Sequence, residues 1–262
     1  MRERKLLRKA GRSSKKKGER KSAPAEKVIG IIGGIGPEAT IDLFRKIVKA
    51  TPARVDQEHM RILIDCNPKI PDRVKAIFEQ TESPVGALIA TAQNLERAGA
   101  DFLLIPCNAA HYYHREVSQK VSVPILHMIE ETARYCQRKF PAVKVFGLLA
   151  GSSTVVLDLY PQAFARVRKE ILNPGPEMQE EIMRCIYEIK AGNLGARVRE
   201  GFLRAARGLA EAGAGAILLG CTEIPLVLQD GDLPIPFIDP TQVLAEVSVA
   251  LAREGIQKGD PD

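Results

Sequence analysis

The architecture follows from two matching stretches of sequence, LERAGADFLLIPC at residues 95–107 and LAEAGAGAILLGC at residues 209–221. At an offset of 114 residues they share Leu, Ala, Gly, Ala, Leu and Cys at the same positions. Each stretch has the pattern of a helix end, a glycine turn and a buried strand that ends in a cysteine. KVIG at 27–30 and KVFG at 144–147 repeat at a similar offset of 117. The chain therefore predicts two related α/β halves.

The segments around this repeat complete the same pattern. VIGII at 28–32 is apolar and β-branched, and GGIGP at 33–37 follows it, which predicts a buried strand, a tight turn and a helix. Further buried strands are predicted at 62–65, 102–106, 145–149, 216–219 and 237–238, and helices at 38–50, 83–98, 177–191 and 203–212. The alternation of strands and helices predicts parallel sheets covered by helices on both faces.

The charge of the 262-residue chain is unevenly distributed. Its formal net charge is +6, but residues 1–27 hold 12 Lys or Arg and 3 Glu, which leaves −3 for the remainder. The mildly acidic body argues against specific binding of nucleic acid. Residues 1–27 lack the apolar segment of a secretory signal, and their composition predicts a disordered basic extension. No apolar run approaches the roughly 18 residues that a membrane-spanning helix needs, so no membrane association is expected.

Cysteines, glycines and histidines exclude several other classes of site. Five cysteines are an odd number, which argues against a disulfide framework and for a reducing, cytoplasmic location. The GGIG segment at 33–36 lacks the lysine of a phosphate-binding loop and the spacing of a dinucleotide-binding turn. We interpret it as a close backbone approach around the first helix. His114 and His127 lack a convincing set of further metal ligands, so no metal site is predicted.

The repeat also predicts a reaction. Ligands of open parallel sheets bind at the carboxyl ends of the strands, so two facing halves would bring Cys107 and Cys221 to opposite walls of one cleft. A thiol between a strand and a helix N-terminus is expected to have a lowered pKa. Backbone N–H groups there, with Asn108 and Thr222, can hold a carboxylate. One thiol can remove a proton from one face of a carbon while the other delivers a proton to the opposite face, which gives the mirror image.

Several motifs resemble those of a known family. They are IGPEAT at 35–40, DQEH at 56–59, NPKIPDR at 67–73, PCNAAH at 106–111 and GCTEIP at 220–225. Together they resemble the aspartate/glutamate racemase family, and within it the aspartate racemases that work without pyridoxal phosphate. The resemblance extends from about residue 28 to about residue 252. It implies two pseudo-symmetric Rossmann-like half-domains with the active site in the cleft between them, a homodimer, an amino-acid substrate, and no cofactor or metal.

The resemblance also implies roles for individual residues. It makes Cys107 and Cys221 the two acid/base groups, and Arg73 and Lys190 the pair that recognises an acidic substrate. For Arg73 there is an independent argument, since a guanidinium binds a carboxylate through two hydrogen bonds. His111 and Glu223 follow the cysteines closely, and either orient or protonate them or serve a structural role. The C-terminal segment of such folds crosses back, so we expect 28–124 with 236–262 in one half and 125–235 in the other.

Three positions depart from the family pattern, and they bear on the substrate. Ala109 stands where a threonine is usual, LAGSST at 149–154 replaces the common Ala-Thr-x-Gly-Thr, and Cys66 replaces a frequent asparagine. Glu223 follows Cys-Thr where glutamate racemases of the cell-wall type have histidine. We therefore predict an aspartate racemase. The alternatives are a glutamate or broad-specificity amino-acid racemase, and a racemase-like binding protein that has lost its activity.

Overall fold

Two parallel sheets flanked by helices form the fold in the computed structural model, which describes residues 26–254. The strands are Ile29–Gly33 (β1), Ile62–Cys66 (β2), Phe102–Leu104 (β3), Val145–Ala150 (β4), Glu170–Leu172 (β5), Ala216–Gly220 (β6) and Phe237–Ile238 (β7). The first sheet has the order β2-β1-β3 and the second the order β5-β4-β6-β7, all parallel. The predicted fold class is confirmed. The extension predicted at 1–27 lies outside the described residues, apart from its last two positions.

Helices connect the strands and cover the sheets. The α-helices are Pro37–Ala50 (α1), Arg73–Phe78 (α2), Val85–Arg97 (α3), His114–Ser118 (α4), Met128–Lys139 (α5), Ser152–Val156 (α6), Leu159–Arg166 (α7), Pro176–Lys190 (α8), Ala196–Glu211 (α9) and Pro240–Glu254 (α10). Short 3₁₀ helices lie at Asp56–Glu58, Ala109–Tyr113 and Ile224–Leu226. Within residues 26–254, no helix combines the length and the apolar character needed to cross a membrane.

Strand β1 is buried on both faces, as its continuous apolar sequence predicts. Ile29 and Ile31 pack with Leu43 of α1 on one face. Ile32, which points the other way, packs with Leu88 of α3. Helices therefore cover both faces of the first sheet. The burial of each such side chain stabilises the fold by about 1.5–3 kcal/mol relative to exposure.

The two halves repeat the same backbone geometry. Gly99 and Gly213 end the equivalent helices α3 and α9 with positive φ angles of 94° and 105°, which glycine adopts without strain. Gly30 in β1 and Gly147 in β4 leave room for side chains of the neighbouring strands β3 and β6. A Cβ atom on Gly147 would lie 2.7 Å from Ile217 Cδ1. Both halves thus use a glycine at the equivalent strand position for the same close packing.

The boundaries of the two halves differ from those expected. In the first sheet, Ile125 forms a parallel bridge with Leu103, so this half continues past residue 124. In the second sheet, Phe237 pairs with Ile217, so residues 237–238 belong to the second half rather than to the first. The reason is the repeat itself. Each half adds one short edge strand after its cysteine-bearing strand, and the chain leaves the half only after that strand.

Helix α10 then crosses to the first half. Its Leu244 and Val249 pack in the same cluster as Ile29 and Ile31 of β1. Lys46 of α1 forms ion pairs with Asp42 and with Asp239, the residue that precedes α10. These contacts hold the two halves together on the side of α10.

The glycine segment after β1 makes a close backbone approach, as we interpreted it. Gly34 has a φ of +90°, and a Cβ atom there would collide with the backbone of Asn67. The Thr40 hydroxyl accepts a hydrogen bond from the Gly34 N–H at 2.9 Å and donates one to the Gly36 carbonyl at 3.1 Å. The start of α1 is therefore fixed against the loop that leads to Arg73.

Candidate active site

One cleft collects the residues that follow the two cysteine-bearing strands. Cys107, Asn108 and Ala109 line it from the first half, and Cys221, Thr222 and Glu223 line it from the second. Arg73 and Lys190 complete the set. The cleft has a volume of about 610 Å³ when its open mouth is included. All the predicted site residues except His111 therefore line one cleft.

The Cys107 loop is held by His111. The Nδ1–H of His111 donates to the Cys107 carbonyl oxygen at 2.8 Å, and its Nε2 accepts from the Met128 N–H at 3.0 Å. Burial, with His127 nearby, lowers the pKa of His111 well below its ordinary value, so the ring is neutral. Because both ring nitrogens bond to the backbone, His111 positions the loop and does not reach the thiol. Of the two roles left open for it, the geometry supports the structural one.

The Cys221 thiol is held in its protonated form. Its Sγ–H donates to Glu223 Oε2 at 2.9 Å, and the Thr222 hydroxyl donates to the same oxygen at 3.3 Å. Burial, the Glu223 charge and this hydrogen bond raise the pKa of Cys221 well above its ordinary value. The expected lowering of the pKa is therefore wrong for Cys221.

Local structure explains part of this difference. The elements that follow the cysteines are the short 3₁₀ helices Ala109–Tyr113 and Ile224–Leu226, not long α-helices. Such short helices carry little of the macrodipole that was expected to favour a thiolate. The Thr222 hydroxyl proton is likewise directed at Glu223 rather than into the cleft.

Lys190 lies beside the carboxylate of Glu223. It is the last residue of α8, and its Nζ is 3.9 Å from Glu223 Oε1. Burial opposes its charge, but Glu223, Cys221 and Cys107 together raise the pKa of Lys190. The Lys190 ammonium therefore interacts electrostatically with both cysteines.

Arg73 presents an incompletely bonded guanidinium to the cleft. It begins α2, where the Asp72 side chain caps the helix by accepting from the N–H groups of Val74 and Lys75 at 2.8 and 3.0 Å. Arg73 Nη1 donates to the Pro71 carbonyl at 3.1 Å. Its buried Nε has no hydrogen-bond partner among the described residues. A ligand carboxylate can accept that hydrogen bond, as the sequence predicts for an acidic substrate.

Asn108 also forms a hydrogen bond that the sequence did not predict. Its side-chain Oδ1 accepts a hydrogen bond of 2.8 Å from the hydroxyl of Tyr160, on α7 in the other half. Asn108 is 4% exposed, and its Nδ2 has no partner in residues 26–254. Tyr160 follows Asn108 by 52 positions and lies in no motif, so only the folded structure brings the two together.

The departures from the family pattern are placed as follows. Ala109 lines the cleft but has no hydroxyl. The buried Ser153 and Thr154, at the start of α6, line the wall of the cleft that belongs to the second half. Cys66 is exposed on the edge strand β2. In the described part of the chain, no group of three or more His, Cys, Asp and Glu side chains is arranged to hold a metal ion.

The other cysteines do not line the cleft. Cys136 and Cys185 are buried, and burial raises the pKa of Cys136 to about 12 and also raises that of Cys185. All five cysteines are free thiols. Cys107 and Cys221 are therefore the thiols available for chemistry in the cleft.

Comparison with known proteins identifies the family of the chain. The Asp/Glu/hydantoin racemase family matches residues 32–247. A broad-specificity amino-acid racemase, RacX of Bacillus subtilis, is 30% identical over 230 residues, covering 85% of this chain and 97% of the relative.

Two solved structures are also similar. The aspartate racemase of Picrophilus torridus has a TM-score of 0.78 and 32% identity, over 86% of this chain and 94% of that one. An aspartate racemase homologue from Pyrococcus horikoshii has a TM-score of 0.71 and 28% identity, over 86% of this chain and 99% of that one. The chain belongs to the Asp/Glu/hydantoin racemase family.

Proposed function

We propose that this racemase interconverts L- and D-aspartate without a cofactor, by proton transfer between two thiols and Cα. The observation that carries the proposal is that Cys107 and Cys221, from equivalent positions of the repeat, line one cleft. The two sulfurs belong to different halves, which suits proton transfer at opposite faces of one carbon.

The contacts of Cys221 support an order of proton transfers. Its thiol donates to Glu223, so we assign Cys221 as the acid of the first turnover and Cys107 as the base. The Cys107 thiolate removes the Cα proton, and Cys221 delivers its own proton to the opposite face. Cys107 then holds a proton and Cys221 is a thiolate. Proton exchange with solvent restores the resting state.

Polar groups of the cleft suit the two carboxylates of aspartate. Removal of the Cα proton places charge on the α-carboxylate, where the Nδ2 donor of Asn108, unpaired within residues 26–254, stabilises it. Arg73 and Lys190 bind the side-chain carboxylate. Lys190 is partly neutralised by Glu223 at 3.9 Å, whereas Arg73 Nε has no partner in the described chain. Arg73 therefore contributes more to selection of an acidic substrate.

A broad-specificity racemase is the second candidate. Met183, Ile186 and Tyr187 of α8 form an apolar part of the cleft lining, which suits side chains without charge. The similarity to RacX, described as a broad-specificity amino-acid racemase, favours the same alternative.

A chiral assay without pyridoxal phosphate tests the proposal. Enantiopure L-aspartate, L-glutamate and several neutral L-amino acids are incubated separately with the full chain, and D-enantiomers are quantified by chiral chromatography. The proposal expects D-aspartate to form fastest. Comparable rates for neutral amino acids would identify the broad-specificity enzyme. No D-enantiomer from any substrate would contradict both and favour a binding protein.

Glu223→Gln is expected to make Cys221 more reactive at neutral pH. The change removes the negative charge that raises the Cys221 pKa, so the pKa falls and the thiolate fraction rises about tenfold per unit. Site-resolved mass spectrometry of iodoacetamide labelling against pH measures this. The labelling profile of Cys221 should move to lower pH, while that of the exposed Cys66 stays the same.

Glu188→Gln is the matched control. Glu188 is exposed on α8 and accepts a hydrogen bond from Asn193 at 2.8 Å, so the same chemical change occurs outside the cleft. It should leave the Cys221 profile unmoved. An unchanged or higher pKa in Glu223→Gln would show that Glu223 does not hold the Cys221 proton.

A further inference from the structure

Tyr160 connects the two halves at the cleft. Its side chain is fully buried in the core of the second half, where it packs near Phe164 with ring centroids 6.0 Å apart. Its hydroxyl reaches the Asn108 Oδ1 of the first half at 2.8 Å. Asn108 lies next to Cys107, so a core tyrosine of one half contacts the cysteine loop of the other.

We propose that Tyr160 is a positioning residue for racemisation: its hydroxyl fixes the Asn108 amide so that the Nδ2 donor faces the α-carboxylate of the substrate. The proposal rests on the proposed function, because it assigns that carboxylate to Asn108. It adds a residue outside the cleft lining that acts on the reaction through Asn108.

The hydrogen bond sets the orientation of the amide. A tyrosine hydroxyl can donate or accept, but the described residues offer the Tyr160 O–H no acceptor other than Asn108. If the amide were turned by half a rotation, its NH₂ would face the hydroxyl, and the buried O–H would lose its acceptor. Burial also raises the pKa of Tyr160 well above its ordinary value, so the O–H is present at neutral pH. The amide oxygen therefore points to Tyr160 and the NH₂ points away from it.

The Nδ2 donor of Asn108 indicates which group of the substrate it binds. Asn108 is 4% exposed and lines the cleft, yet its Nδ2 has no partner in the described part of the chain. A buried N–H without an acceptor is costly, and an acceptor supplied by the ligand removes that cost. The α-carboxylate gains negative charge as the Cα proton leaves. A donor already oriented there stabilises the transition state more than the bound substrate.

Tyr160→Phe tests the proposal, since it removes the hydroxyl and keeps the ring. Without its O–H donor the amide samples both orientations, and we expect kcat for aspartate to fall about tenfold with a smaller change in KM. The melting temperature should fall by only a few degrees, as expected for the loss of one buried hydrogen bond. Tyr135→Phe is the control. Tyr135 is partly buried on α5, lies outside the cleft and makes no side-chain hydrogen bond in the described residues.

A double-mutant cycle separates positioning from a general structural effect. If Tyr160 acts through Asn108, Tyr160→Phe should lower kcat when it is made in the wild type. In the Asn108→Ala variant the same substitution should cause no further loss of kcat. Losses that multiply in the double variant, or a Tyr160→Phe enzyme within twofold of wild type, would overturn the proposal.

Aspartate binding, measured by calorimetry on the same four proteins, separates this proposal from the proposed function. A wild type that binds aspartate without racemising it contradicts the function alone, and the cycle is then evaluated on Kd. In that case, coupling between Tyr160 and Asn108 in the Kd for aspartate supports the proposal, and additive effects on Kd overturn it. A wild type that neither binds nor racemises aspartate overturns both.

Discussion

Replacing either Cys107 or Cys221 with serine is expected to reduce aspartate racemisation by about 10³-fold. A hydroxyl is far less acidic than a thiol, so serine neither accepts the Cα proton nor delivers one at neutral pH. Loss of either residue interrupts the transfer in both directions, because each direction needs one base and one acid. Chiral chromatography of the D-aspartate formed measures the loss.

The serine variants are expected to keep the local structure. Cys107 and Cys221 differ from serine by one atom, and a serine hydroxyl at position 221 can still donate to Glu223 as the thiol does. The melting temperature should therefore change little. Cys66→Ser, on the exposed edge strand β2, is the matched control and should retain full activity. Near-wild-type racemisation by Cys221→Ser would contradict the two-thiol mechanism.

Arg73→Leu is expected to lower kcat/KM for aspartate by about 10²-fold, far more than for alanine. Arg73 lines the cleft, and its buried Nε has no hydrogen-bond partner among the described residues. Aspartate has a second carboxylate to supply that partner, whereas alanine has none. The leucine is apolar, so the side-chain carboxylate of aspartate would be buried without compensation.

Arg97→Leu makes the same chemical change at an exposed position near the end of α3. It should leave both substrates unaffected. Parallel assays of aspartate and alanine decide what Arg73 does. Equal losses for the two would show that Arg73 binds the α-carboxylate or serves the fold, and not that it selects an acidic side chain.

Much of the fold could be predicted because the glycines and apolar runs act locally. The glycine turns of the repeat and the strand at 237–238 lie where the sequence places them. Strand β3 ends at Leu104 rather than 106, since Pro106 has no N–H for the ladder and the Cys107 N–H turns back to Ile105. Helix α9 begins at Ala196, seven residues before the predicted start, because its first turns carry exposed charged residues that hide the apolar period.

Other elements depend on contacts across the whole chain. Helices α5 and α10 were not predicted. Helix α5 is largely polar, and α10 is stabilised by packing across to the first half. Edge strand β5 has only three residues and half-exposed side chains, too short to show an alternating pattern.

The site was predictable where residues follow motifs, and not where they meet across the cleft. The sequence predicts the neighbours of each cysteine, but the hydrogen bond between Tyr160 and Asn108 depends on how the two halves face each other. The predicted lowering of the Cys221 pKa was wrong for a local reason: the thiol is buried and donates to the carboxylate of Glu223, two residues further along the chain. The homodimer that the resemblance implies stays a prediction.

Hydrogen exchange at Cα tests the two-thiol mechanism most directly. Cys107→Ser and Cys221→Ser are each incubated in D₂O with L-aspartate and with D-aspartate, and loss of the Cα proton signal is followed by NMR. Each variant keeps one thiol on one face of the substrate. We expect each to exchange only one enantiomer, and the two variants to exchange opposite ones. Exchange of the same enantiomer by both variants, or of both enantiomers by either, would contradict the mechanism.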